Sequence, residues 1–166
     1  VRKIKSLILH SFLFVETLGA QPPGGKMQHH MDIAALTSFL QREFDQVADD
    51  FVVQSQEADG LTVRLRVAER HLRPGGTVSG PTMFALADVA VYLAILARIG
   101  PVALAVTTSS SIDFLRKPAA GADLLAKTRL LKLGRTLAVG DVLIYSEGGG
   151  EPVARASMTY SIPPKR

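Results

Sequence analysis

The apolar positions of this chain change period along its length, and the changes outline its elements. From Asp32 onward, Ile33, Leu36, Phe39, Leu40 and Phe44 recur at three- and four-residue steps. That spacing predicts an amphipathic helix capped by Asp32. Residues 51–57 and 61–68 read as two strands joined by Asp59-Gly60, a strong hairpin signal. In the second strand Leu61, Val63, Leu65 and Val67 alternate with Thr62, Arg64 and Arg66, which predicts one buried face and one wet face. From Met83 to Ala97 almost every residue is apolar, the pattern of a helix buried on all sides. Pro81 suits the first helical position, which makes Gly80 the expected N-cap, and Gly100-Pro101 marks the end. Four strand-like segments follow, at 104–115, 123–133, 136–146 and 152–162, separated by KPAAG, LGRT and EGGGE.

The order is helix, two strands, long apolar helix, four strands. A curved antiparallel sheet wrapped around the long helix satisfies it, because such wrapping buries a helix on most sides. The fold class is therefore α+β, with an extra N-terminal helix. Such a sheet has open edges, so subunits are expected to pair edge to edge.

Asp88 is the one charge inside the apolar run. A carboxylate there is costly to bury unless it is paired or functional. Neighbouring hydroxyls satisfying it structurally is the plainer alternative. At the positive end of the same helix, the Gly80 N–H is a natural donor to a polarised carbonyl oxygen. The run Thr107-Thr108-Ser109-Ser110-Ser111 lies in an otherwise apolar and β-branched strand. It is either cross-strand hydrogen bonding or, if one face meets Asp88, part of a site.

Composition narrows the chemistry. The chain has 166 residues, enough for one domain with a real core. It has no Cys, which excludes disulfides, thiolate metal sites and a cysteine nucleophile. Trp is absent and aromatics are few, which argues against stacking-based nucleic-acid recognition. His10, His29, His30 and His71 are not spaced with carboxylates as a metal site, and no metal is expected. The net charge of +4 suits a solvated surface or an anionic small ligand. Residues 1–30 have a basic start, a short apolar run broken by His10 and Ser11, and a linker-like QPPGGK. They read as an upstream extension or misplaced start rather than an export signal, with the domain spanning 31–166. The apolar runs do not read as membrane spans: the first is too short, and Asp88 sits at the centre of the second.

The motifs resemble those of the hotdog-fold acyl-CoA thioesterases of the PaaI-like, phenylacetate-pathway type. That family shows H-x-N-P-x-G-x-x-H-G-G followed by L-x-D in the long helix. Here the chain reads His71-Leu72-Arg73-Pro74-Gly75-Gly76-Thr77-Val78-Ser79-Gly80-Pro81 and then Leu86-Ala87-Asp88. The segment Ile112-Asp113-Phe114-Leu115-Arg116-Lys117-Pro118 is similar to the family's strand ending in an aromatic and Arg-Pro. The resemblance implies that Asp88 is the catalytic acid and that the Gly80 N–H polarises the thioester carbonyl. It also implies that Thr107 positions water from the partner subunit. Arg73, Ser79 and Pro81 depart from the family's Asn, His and second Gly.

The expected activity is hydrolysis of an acyl-CoA thioester, with Asp88 as general base or nucleophile and no resident cofactor, since CoA belongs to the substrate. Arg73 and Ser79 would contact substrate, and Arg116, Lys117, Lys132 and Arg135 are candidate partners for the CoA phosphates. Expected partners are the acyl-CoA and further copies of the chain, as a dimer or dimer of dimers, in the cytoplasm. A non-catalytic acyl-CoA-binding module is the alternative from another class. A hydratase or dehydratase would need a His paired with an acid, and only His71 is available; a surface or loop-packing role suits it better.

Overall fold

The computed structural model describes residues 29–164. Helix α1 (Ile33–Glu43) begins where Asp32 accepts a hydrogen bond from the Ala35 N–H at 2.8 Å, and a single turn, α2 (Asp45–Ala48), follows. Strands β1 (Phe51–Gln56) and β2 (Gly60–Leu65) form the first hairpin. A 3-10 turn (Glu69–His71) leads to a small hairpin of β3 (Leu72–Arg73) and β4 (Thr77–Val78), which the hydrophobic pattern does not announce. The long helix α3 runs Gly80–Ile99 and stops at Gly100, whose φ of 87° is the conformation glycine tolerates best. Strands β5 (Val106–Phe114), β6 (Leu124–Leu133), β7 (Leu137–Ser146) and β8 (Pro152–Ser161) complete the domain.

Six strands form one antiparallel sheet in the order β1-β2-β6-β7-β8-β5. Helix α3 packs on it, and Leu86, Ala90, Leu93 and Ile95, on different sides of the helix, retain no solvent exposure. Gly140 sits beneath the helix, where an added Cβ would stand 3.1 Å from a Val91 methyl. This is the hotdog arrangement the sequence suggests, with α1 as the additional helix. Although α3 is long and apolar enough to cross a membrane, it is the core helix of this domain.

Several local expectations are corrected. The first hairpin turns at Ala58-Asp59 rather than Asp59-Gly60, and Gly60 opens β2 without a positive φ. Glycine is required there for another reason: a Cβ would lie 1.7 Å from the Thr128 carbonyl oxygen of β6. The second strand ends at Leu65 instead of reaching residue 68, because the Arg66 N–H bonds to Asp50 O and the Val67 N–H to the Asp123 carboxylate. Its polar face is less wet than the alternation implies: Thr62 is buried, and Arg64 pairs with Asp123 at 3.0 Å and Glu147 at 2.6 Å. Helix α3 is not buried on all sides, because Pro81, Ala85, Asp88 and Tyr92 line a stripe that keeps some solvent exposure. The N-terminal extension of 1–30 lies almost wholly outside the described residues.

Candidate active site

The start of α3 is built from its own capping groups. Ser79, not Gly80, is the N-cap: its Oγ accepts from the Thr82 N–H at 3.3 Å and shares a 2.9 Å hydrogen bond with the Thr82 hydroxyl. Ser79 is therefore occupied in holding the helix start. The Met83 N–H is taken by the Ser79 carbonyl at 3.1 Å, and Pro81 has no N–H. That leaves the Gly80 N–H as the first-turn donor without an acceptor among the described residues, at the positive end of a 20-residue helix.

His71 fixes the loop that leads there. Its Nδ1 accepts from the Ala68 N–H at 2.9 Å, so the proton of the neutral ring is on Nε2, facing Asp50 at 3.3 Å. Its carbonyl takes the Ser79 N–H at 2.9 Å and the Thr82 hydroxyl at 3.3 Å. The ring is buried, as a loop-packing residue should be.

Gly80 opens into a cleft of about 530 Å³ lined by Arg73, Val78, Met83, Phe114, Arg116 and Lys117, among others. A Cβ on Gly80 would stand 3.0 Å from the Phe114 ring, so the ring packs directly against the glycine and a side chain there would force it to move. Arg73 is steadied by a 3.1 Å hydrogen bond from its Nε to the Thr77 hydroxyl. Arg116 donates to the Pro152 carbonyl at 2.9 Å and lies 3.3 Å from Glu151, while Lys117 makes no ion pair among the described residues. Arg73 thus belongs to the Gly80 cleft, with no ion pair to Asp88 of its own chain.

Asp88 forms a separate centre two turns further along. Its Oδ1 accepts from the Thr107 hydroxyl at 2.5 Å and from the Tyr160 phenol at 2.6 Å; the phenol also lies 2.9 Å from the Asp88 carbonyl oxygen. Oδ2 accepts no hydrogen bond among the described residues. Burial first, then the charge and hydrogen bond of Asp88, push the Tyr160 phenol far above its ordinary value, so it stays a donor. Thr107 reaches Asp88 within one chain, which corrects the expectation that the partner subunit supplies it.

A β-bulge aims that hydroxyl. Thr107 pairs with Tyr160 and Ser109 with Thr159, so Thr108 is an extra residue, and its hydroxyl is tied to the Thr159 carbonyl at 3.2 Å. Directly opposed residues share a face. Thr107 therefore lies on the inner face with Tyr160, while Ser110, Ile112 and Phe114 oppose the buried Met158, Ala156 and Ala154. Without the bulge, Thr107 would share the outer face with Ser109 and Ser111. Lys132 and Arg135 are in neither centre: they lie toward the tip of the β6–β7 hairpin, three strand spacings from β5. Nothing in the sequence singles out Tyr160; the alternation of β8 places it inward, but a phenol meeting Asp88 depends on strand order.

A family model described as the thioesterase superfamily matches residues 75–153, a span that contains Gly80, Asp88, Thr107 and Arg116. A solved protein of Silicibacter sp. TM1040 described as a candidate thioesterase is 57% identical, over 84% of this chain and 97% of its own, with a TM-score of 0.79. The phenylacetic acid degradation protein PaaI of Thermus thermophilus, solved as a mutant, is 31% identical over 72% of this chain and 99% of its own, with a TM-score of 0.62. A Pseudomonas aeruginosa protein named as a candidate esterase is 34% identical over 62% of this chain and 75% of its own length. With an acid held by two hydroxyls, a free helix-end donor and relatives of this identity over three quarters or more of their lengths, the chain belongs to the thioesterase superfamily.

Proposed function

We propose that this protein hydrolyses acyl-CoA thioesters at a site shared between two subunits. The observation that carries the reading is Asp88, whose Oδ1 is held by two donors while Oδ2 is left to react. Thioester hydrolysis needs a carbonyl polariser and a base or nucleophile, both about 3 Å from the reacting centre. Gly80 and Asp88 supply those two groups, but they stand about 12 Å apart along one helix axis at 1.5 Å per residue. One chain cannot bring both to a single carbonyl.

Strand β5 supports the sharing. Among the described residues it is the last strand of the sheet and pairs only with β8, and it exposes Val106 and Phe114 at 55% and 54%, with Leu115 just beyond it at 48%. An antiparallel pair of β5 strands about a two-fold axis near Ser110 sets the Thr107 end of one against the Phe114 end of the other. Thr107 carries Asp88 with it, and Phe114 carries Gly80. Asp88 of one subunit then meets Gly80 of its partner, giving two sites per dimer.

In each site the Gly80 N–H stabilises the carbonyl oxygen as it becomes negative. Asp88 Oδ2 either takes a proton from the attacking water or adds to the carbonyl to give a mixed anhydride that water opens. By both routes the C–S bond breaks, the thiol of CoA leaves and the acyl group departs as a carboxylic acid. No resident cofactor enters these steps. The apolar wall of Val78, Met83 and Phe114 suits the acyl end, and Arg73, Arg116 and Lys117 suit phosphates. A Streptococcus pneumoniae protein described as a hypothetical thioesterase, 24% identical and alike in fold, is solved with coenzyme A.

The test is Asp88→Asn assayed across short, long and aromatic acyl-CoAs. Turnover should fall by about two orders of magnitude or more with the fold and ligand binding kept. Near-normal turnover in the Asn variant would remove Asp88 from the chemistry, and binding without turnover in the wild-type protein would favour a binding module.

A further inference from the structure

The contact between Asp88 and Tyr160 is more than a buried hydrogen bond, because the ring is held as firmly as the hydroxyl. The Tyr160 ring stacks on Tyr92 at 6.3 Å between centroids and 26° between planes, and Tyr92 meets Phe39 of α1 at 6.3 Å. Tyr92 is one turn beyond Asp88 on α3, and its hydroxyl is tied to the Ala103 carbonyl at 3.2 Å. The phenol is thus pinned from the ring side by a column reaching α1. It is pinned at the oxygen by two atoms of Asp88, the carbonyl at 2.9 Å and Oδ1 at 2.6 Å.

We propose that Tyr160 is a positioning residue which, with Thr107, commits Oδ1 of Asp88 to hydrogen bonding and thereby makes Oδ2 the reacting atom. A carboxylate has two equivalent oxygens and rotates about χ2, so an unrestrained Asp88 would present either oxygen in a range of orientations. Two donors on one oxygen remove that freedom. They come from adjacent strands, Thr107 on β5 and Tyr160 on β8, paired directly across the ladder. The phenol's single proton is shared between Oδ1 and the main-chain carbonyl of the same aspartate, which fixes the hydroxyl relative to the helix itself. Removing the donor should loosen the acid and withdraw a hydrogen bond from its charged form. The inference rests on the hydrolase reading and names a residue that acts through Asp88 without touching substrate.

Tyr160→Phe keeps the ring column and deletes only the donor. The expected result is a kcat lower by about tenfold with KM little changed, the pattern of an interaction needed in the transition state. The acid limb of kcat/KM should move to higher pH. Site-specific 3-fluorotyrosine at position 160, a stronger donor of nearly the same size, should move that limb the other way. It also serves if the Phe variant does not fold. A wild-type acid limb in both variants would overturn the proposal, even if the Phe variant lost stability or some turnover, because a purely structural tyrosine would leave the limb in place. Asp88→Asn run alongside separates the two ideas. An inactive Asn variant with an unmoved limb at Tyr160→Phe refutes only the positioning role. An active Asn variant removes Asp88 from the chemistry and refutes the positioning role with it, whereas a wild-type protein without turnover refutes the hydrolase reading itself.

Discussion

If a productive site takes Asp88 and Thr107 from one subunit and Gly80 from the other, damaged subunits should complement each other selectively. Asp88→Asn removes the base or nucleophile. Gly80→Val builds a branched side chain where even a Cβ would stand 3.0 Å from the Phe114 ring, blocking the approach to the free N–H. Each homodimer should lose about a hundredfold in activity or more. Co-refolding the two makes hybrids in which one site joins a normal Asp88 to a normal Gly80 and the other carries both lesions. Random pairing makes half of the dimers hybrids with half of their sites intact, so recovery should approach about a quarter of normal activity. The control is the pair Asp88→Asn with Thr107→Ala. Those lesions fall in the same half-site, 2.5 Å apart in one chain, so no hybrid site is whole and the mixture should stay at the mean of its parents. Turnover is measured before and after co-refolding, with molecular size followed in the same samples. Recovery in the Thr107 mixture but not in the Gly80 mixture, or full activity in a monomeric fraction, would refute the arrangement.

Two predictions concern stability. Gly60→Ala forces a Cβ to 1.7 Å from the Thr128 carbonyl oxygen, where backbone rather than a flexible side chain must move. It should destabilise by about 3 kcal/mol, seen as a fall in Tm of about 6–12 °C in thermal unfolding, and an unchanged Tm would contradict the close approach. The second is alkaline. Burial raises the Tyr160 phenol above its ordinary value of 10.0, so above about pH 10 the unfolded chain releases a proton that the folded chain keeps. Stability present below that pH is then lost as pH rises, by about 1.4 kcal/mol per pH unit from this residue, and Tyr160→Phe should flatten the decline in denaturant titrations between pH 9 and 11. Parallel slopes for the two proteins would remove Tyr160 as the cause.

Much of the fold was legible because its signals are local and repeated. Asp32 caps α1 as its position before the apolar period implies, and Gly100 ends α3 where a Gly-Pro pair should. The last strands begin and end within a residue or two of their alternating segments, since polar turns bound each one. The errors fall where a residue's reason lies far away in sequence. Gly60 looks like a turn glycine, but its partner is the Thr128 carbonyl on a strand that comes much later. Ser79 and Gly80 are both plausible caps, and only the Thr82 contacts choose between them. Asp88, Gly80, Arg73, Arg116 and Lys117 were visible as candidates, but their division into two separated groups was not. It follows from helix rise and from which end of β5 each group touches. Tyr160 was hidden because β8 is adjacent to β5 in space with two strands between them in sequence.

The extra residue at Thr108 has a consequence for how this strand can change. It works as a phase shift: upstream and downstream of it, opposite parities of residue number point inward. The segment that serves the acid and the segment that walls the cleft can therefore vary independently, each keeping its own inward set. A deletion of one residue at the shift would leave composition and length almost untouched, yet it would turn the Thr107 hydroxyl to the outer face and silence one half-site in each subunit. Two homologous strands of equal hydrophobicity and unequal phase would look alike in any alignment scored by residue similarity. Their difference in activity would be written in a single gap.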